Sequence, residues 1–231
     1  MQWTSSSTLT GIMKQYPRVS GFILAQKPNF VRVIGQAPVI GTNIFDMVSN
    51  GETFSIYIPS RNQFLTGSTS VGKVSDTAVQ NLRPQHLMQA IFWEPISPSD
   101  VVLFEQATDN NSYDYVLTVA NESGAEAETG NWRIARKIWF ERTGLSMARI
   151  QVYSDDGQIE SDIHYAQWQP FGGAQYPQKI TLERPAEGYT LAITVTKLTA
   201  DTPIEPSRFV LNQPAGSQLV RVGEEAGDQQ H

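Results

Sequence analysis

The 231-residue sequence contains no cysteine. That absence removes disulfides, thiolate nucleophiles and every cysteine-based metal or iron–sulfur centre. It leaves the redox compartment open, because an envelope protein need not use disulfides. No apolar run approaches the roughly 20 residues that a membrane-spanning helix needs. The start Met1-Gln2-Trp3-Thr4 lacks the basic-then-apolar plan of a signal peptide, so the chain is expected to be soluble. Basic excess is missing too: Lys and Arg number 17 against 23 Asp and Glu, a net charge of −6. No global positive field is available to hold nucleic acid or an anionic membrane surface. With 40% hydrophobic and 17% charged residues, 17 Gly and 13 Pro, the composition excludes general disorder, collagen-like sequence and long coiled coil. No composition shift or fixed-period repeat marks a second domain. The expectation is one domain over residues 1–222 and a disordered tail over 223–231, which has nothing to bury.

The chain reads as a run of strands. Arg18 to Gln26, Phe30 to Ile34, Asn43 to Ser49, Thr53 to Ile58 and Gln63 to Leu65 form an antiparallel meander, with Asn50-Gly51 expected as a type I′ hairpin turn. Residues 67–83 break the pattern with Ser, Thr and Gly. Pro84 to Trp93 is the one clear helix, with Leu87, Met88, Ile91 and Phe92 at helical spacing on one face. Strands resume at Val101, Tyr113, Trp132, Ser146, Ile159, Gln178 and Tyr189, giving about a dozen strands against one short helix.

Motifs of chemistry are sparse. Gly67-Ser68-Thr69-Ser70-Val71-Gly72-Lys73-Val74 has the glycines and lysine of a P-loop, but Val74 stands where the magnesium-binding hydroxyl belongs and the setting is a meander, so a plain loop is expected. The three histidines, at 86, 164 and 231, lack the spacing that places two imidazoles on one metal. Asp155, Asp156, Glu160 and Asp162 cluster in sequence, yet Asp156-Gly157 reads as a turn, and Glu160 and Asp162 as a solvated strand face. There is no Gly-x-Ser-x-Gly elbow. Asn110-Asn111-Ser112 and Asn121-Glu122-Ser123 match a glycosylation sequon short enough to arise by chance. No metal, cofactor or catalytic residue is expected.

Apolar excess on strands rises above this background. Phe22 and Leu24, Val31 and Val33, Phe45 and Met47, and Phe54, Ile56 and Ile58 are expected to share one side of neighbouring strands, under Leu87, Met88, Ile91 and Phe92 of the helix. Ile23, Ile34, Ile44 and Val48 spoil strict alternation. An ordinary core explains such a face. A large sheet with only one short helix to cover it also suits a ligand cavity.

The order of these pieces resembles the LolA/LolB-like superfamily of bacterial lipoprotein carriers, and within it the LolB-related envelope lipoproteins of uncharacterised function. The likeness rests on Phe22 to Val33, Phe45 to Gly51, Tyr57 to Gly67, Ile138 to Leu145 and Phe209 to Gly216, in that order. It implies a mainly β protein, a strongly curved antiparallel sheet forming an unclosed barrel with a helix over its concave face. It further implies non-enzymatic binding or transport of lipid or lipoprotein acyl chains, in the periplasm or at the periplasmic face of the outer membrane. The implied partners are a lipid or acylated lipoprotein, with peripheral membrane contact and a monomeric state; no nucleic acid and no cofactor are implied. Three departures stand out: there is no lipobox cysteine, the N-terminal helix usual in the family is not evident from Met1 onward, and the family's protruding apolar loop has no clear equivalent, Ala37-Pro38-Val39-Ile40-Gly41 being the nearest candidate. The alternative is an envelope scaffold or assembly protein whose cavity is filled by its own side chains.

Overall fold

Strict alternation decides strand β4, Phe30–Gln36, in which Val31, Val33 and Gly35 are buried and the residues between them are half-exposed. Around it a computed structural model, which describes residues 2–6, 13–16, 19–69, 83–108, 113–122 and 132–222, sets fifteen strands and one α-helix. Ser70 to Val74 of the P-loop-like stretch, the Asn110 sequon, His231 and the tail 223–231 lie outside the described residues. The described residues form two compact units: 19–69, 83–92 and 201–222 in one, and 2–6, 13–16, 93–108, 113–122 and 132–200 in the other.

The first unit is a six-stranded sheet. Strands β3 (Ser20–Gln26), β4, β5 (Asn43–Ser49), β6 (Thr53–Ile58) and β7 (Gln63–Ser68) run as an antiparallel meander, and β15 (Gln218–Val222) joins β7 in parallel. Residues directly opposite in antiparallel strands share a face. Val33, Met47, Ile56 and Leu65 therefore line up across four strands, and all four are buried. Helix α1, Pro84–Ile91, packs against β4 and β5. The Arg83 guanidinium, just before it, lies 5.3 Å over the ring of Phe54, next to this row. Complete burial of Leu87 and Ala90 is the helix's share of the core; for a leucine, such burial is worth about 1.5–3 kcal/mol.

The hairpin at Asn50 departs from expectation. Register sets Ser49 opposite Phe54 and Asn50 bonds to Thr53, so Gly51 and Glu52 are the central residues. Gly51 alone has positive φ, at 96°, the φ pattern of a type II′ rather than a type I′ turn. Asn50 instead braces the turn from outside, its Oδ1 accepting from the backbone of Glu52 at 3.0 Å and of Thr53 at 2.9 Å.

The second unit is a nine-stranded antiparallel sheet in the order β2-β1-β14-β13-β12-β11-β10-β9-β8. Its strands are β1 (Gln2–Ser6), β2 (Met13–Tyr16), β8 (Val101–Thr108), β9 (Tyr113–Glu122), β10 (Trp132–Glu141), β11 (Met147–Tyr153), β12 (Ile159–Phe171), β13 (Ala174–Arg184) and β14 (Tyr189–Thr194). One cross-strand row, Ile138, Ile150, Ile163, Leu182 and Leu191, is buried throughout. The adjacent row on the other face, Lys137, Gln151, Asp162 and Glu183, is polar. Trp93, expected as the helix end, stands beyond it: α1 closes with the Phe92 N–H on the Met88 carbonyl. The Trp93 ring packs in this unit against Trp168 at 5.4 Å, Tyr165 at 5.8 Å and Tyr176 at 5.9 Å. Arg136 holds the next two residues, donating to the carbonyls of Glu94 at 3.0 Å and Pro95 at 2.8 Å.

Candidate functional site

The helix-side face gathers most of the residues chosen from sequence. Val31, Val33, Met47, Phe54, Ile56, Leu87 and Met88 are buried, while Phe45, Ile58, Ile91 and Phe92 are half-buried. Met47 and Leu87 expose 1% and 0% of their surface, so no solvent path reaches them as the chain stands. Phe45 has room because Gly35 lies directly opposite: a Cβ there would fall 2.3 Å from the Phe45 ring.

Phe22 and Leu24 are not part of this face. Register pairs Phe22 with Ile34 and Leu24 with Arg32, which places both on the opposite side of the sheet. The reason is local: Phe22-Ile23-Leu24 is a continuous apolar triplet on an edge strand, and a shift of one residue inverts every side chain. Ile23 and Ala25, opposite Val33 and Val31, take the helix side.

On the far side, Phe22, Leu24 and Ile34 wall an open groove of about 330 Å³, with Gln36 and Asn43 toward one end and Arg32 and Arg208 toward the other. Phe22 is 63% exposed. Arg32 is committed within the protein. Its Nε and Nη2 hold the Asp46 carboxylate at 2.9 and 2.6 Å, and its Nη1 donates to the Arg208 carbonyl at 2.9 Å. The hydrogen bond to Asp46 raises the Arg32 pKa further above its ordinary value, against the effect of burial. The segment carrying Arg208 is pinned a second time by Phe209, whose ring lies 5.6 Å from that of Phe30. The Arg208 side chain itself is exposed and has no carboxylate partner among the described residues. Sequence reasoning missed Ile34 and Arg208. Ile34 was signalled by its alternation with Arg32, whereas Arg208 lies 176 residues from Arg32 and carries no local signal.

The loop between β4 and β5 begins beside this groove. Gln36 Nε2 donates to Asn43 Oδ1 at 3.1 Å across its base, the Ala37 N–H reaches the Thr42 carbonyl at 2.9 Å, and the Gly41 N–H returns to the Ala37 carbonyl at 3.0 Å. Gly41 takes a φ of 67°, suited to a residue without Cβ. The braced tip presents Val39 and Ile40, 94% and 77% exposed.

Titratable groups are engaged structurally. Asp162 is buried rather than solvated, which corrects the expectation of a wet acidic face. Burial pushes its carboxyl up, but hydrogen bonds from Arg149, His164 and Gln151 outweigh this and hold it well below the usual carboxylate range. Arg149 Nε lies 2.7 Å and Gln151 Nε2 2.8 Å from its oxygens. Asp155 pairs with Arg133, and Asp156 accepts from the Ser154 hydroxyl. His86 is buried in α1, and His164 stands 3.2 Å from Asp162. Among the described residues no three His, Asp or Glu side chains converge to hold a metal.

No protein-family model matches the chain, and no curated protein sequence does. Solved structures do match. A DUF1329 family protein from Desulfovibrio piger superposes with a TM-score of 0.53 at 14% identity, over 90% of this chain and 88% of that one. A LolA superfamily protein from Nitrosomonas europaea gives 0.49 at 13% identity, over 87% and 84%. An outer membrane lipoprotein-sorting protein domain from Vibrio parahaemolyticus gives 0.48 at 10%, over 90% and 86%. The fold is shared with the DUF1329 protein. The described residues are mainly β, with two large sheets, one short helix and no closed barrel among them.

Proposed function

We propose that this is a non-enzymatic protein of the bacterial cell envelope that binds acyl chains of lipids or lipoproteins and makes peripheral contact with membranes. The observation that carries the reading is the β4–β5 tip. Two large aliphatic side chains stand almost fully in water on a loop braced by three hydrogen bonds. A water-facing role gives no reason to brace them there, whereas insertion at a bilayer surface buries them. The superfamily that the sequence resembles handles acylated cargo, which accords with this surface. A net charge of −6 disfavours anionic bilayers, so the contact is apolar rather than electrostatic.

The closed state of Met47 and Leu87 favours a second reading, a scaffold whose core is filled by its own side chains. Flotation with zwitterionic phosphatidylcholine vesicles separates the two. The carrier reading expects the protein to float with the vesicles, and a Val39→Asp, Ile40→Asp variant to remain in the soluble fraction with unchanged thermal stability. A wild type that never floats favours the scaffold.

A further inference from the structure

We infer that the groove of Phe22, Leu24 and Ile34, on the face of the six-stranded sheet turned away from α1, binds a single acyl chain carrying an anionic headgroup, which Arg208 receives. The proposal rests on the acyl-binding reading above and locates the binding on the other side of the sheet from the residues under the helix.

Three features lead to this occupant. The walls are aliphatic and aromatic, with Phe22 largely exposed although it lies on a folded strand. The volume of about 330 Å³ is at the small end of ligand pockets, which run from about 300 to 1,000 Å³. It suits one chain rather than the several chains of a lipoprotein anchor. The charge at the groove's end is selective. Asp46 answers Arg32, so the free positive charge belongs to Arg208, whose backbone Arg32 holds in place. A guanidinium matches a carboxylate or a phosphate by paired hydrogen bonds. The other end of the groove, at Gln36 and Asn43, is the base of the loop that carries Val39 and Ile40. A chain leaving a bilayer at that tip therefore meets an apolar wall immediately.

Displacement of dansyl-undecanoic acid from the full-length protein tests the assignment, with dodecanoate, dodecyl phosphate, dodecanol and inorganic phosphate as competitors. Arg208→Gln is expected to weaken both anionic amphiphiles about tenfold and leave dodecanol unchanged. Phe22→Ser is expected to weaken all three amphiphiles; since both side chains are exposed, both variants keep the wild-type melting temperature. Inorganic phosphate should displace nothing, and displacement by it would make this a bare anion site and overturn the assignment. Wild-type affinity for dodecanoate in both variants would also overturn it, while leaving acyl binding to be sought under α1. If the wild type takes up none of the amphiphiles, the acyl-binding reading itself fails and the groove assignment with it.

Discussion

Arg32 on β4 reaches diagonally across the sheet to Asp46 on β5 and holds both carboxylate oxygens, at 2.9 and 2.6 Å, with the two side chains 19% and 12% exposed. The same guanidinium spends its remaining Nη on the Arg208 carbonyl. One residue thus joins the meander to a segment that enters the sheet's surroundings near the end of the chain. Asp46→Asn should cost about 1–3 kcal/mol in urea melts, because a hydrogen-bonded charge is left without its counter-charge. In a cycle with Arg32→Gln the double variant should lose less than the sum of the singles. Strict additivity would deny the coupling.

Acid stability should report on Asp162. Its carboxyl is held below the ordinary value of 3.8 in the folded chain, so its contribution is fully present above that value and is lost as pH falls toward the folded-state pKa. Wild type should therefore exceed Asp162→Asn in stability at neutral pH, and the gap should narrow below about pH 4. Denaturant melts from pH 7 to pH 2.5 would show it. A gap that stays constant over this range would mean that the carboxylate's charge contributes nothing.

Much of this architecture can be read in the residues themselves. Thr53 to Ile58 alternates strictly enough to fix both strand and face, Phe30 to Ile34 and Asn43 to Ser49 read as strands although Ile34, Ile44 and Val48 blur the face, and Pro84 with the Leu87, Met88 and Ile91 spacing marks the helix. What escapes has physical reasons. Strands β1 and β2, with Gln-Trp-Thr-Ser-Ser and Met-Lys-Gln-Tyr, carry no period-two apolar signal; β1 pairs with β14, far along the chain, and β2 with β1. Strand β15 pairs in parallel with β7 across more than a hundred residues, which no local pattern encodes. The face of β3 is ambiguous because three apolar residues stand in a row, and only pairing with β4 resolves it. That single register choice removes Phe22 and Leu24 from the helix side and builds the groove.

Helix α1 should open before the strands it covers. It has only eight residues, no side-chain N-cap and no charged residue favouring either end, so packing rather than propensity holds it. Hydrogen exchange should show Leu87 to Ile91 amides exchanging sooner than those of Phe45 to Ile58. Equal protection would mean that α1 and the strands open together as one unit.

Met47 offers the sharpest test of whether the helix side is a core or a cavity. It is 1% exposed, with Val33 directly opposite on one neighbouring strand and Ile56 on the other, both buried. Truncation by Met47→Ala removes packed methylene and thioether groups from a site with no solvent path, and should cost about 2–5 kcal/mol. An open cavity wall would lose far less, because the surrounding contacts would survive. The ligand effect separates the two faces further. Dodecanoate bound in the groove raises apparent stability by mass action, whatever happens under the helix. Its stabilising increment should thus be the same in Met47→Ala as in the wild type, and smaller in Phe22→Ser. An increment that disappears in Met47→Ala but persists in Phe22→Ser would place the acyl chain under α1 and reverse the assignment of the two faces.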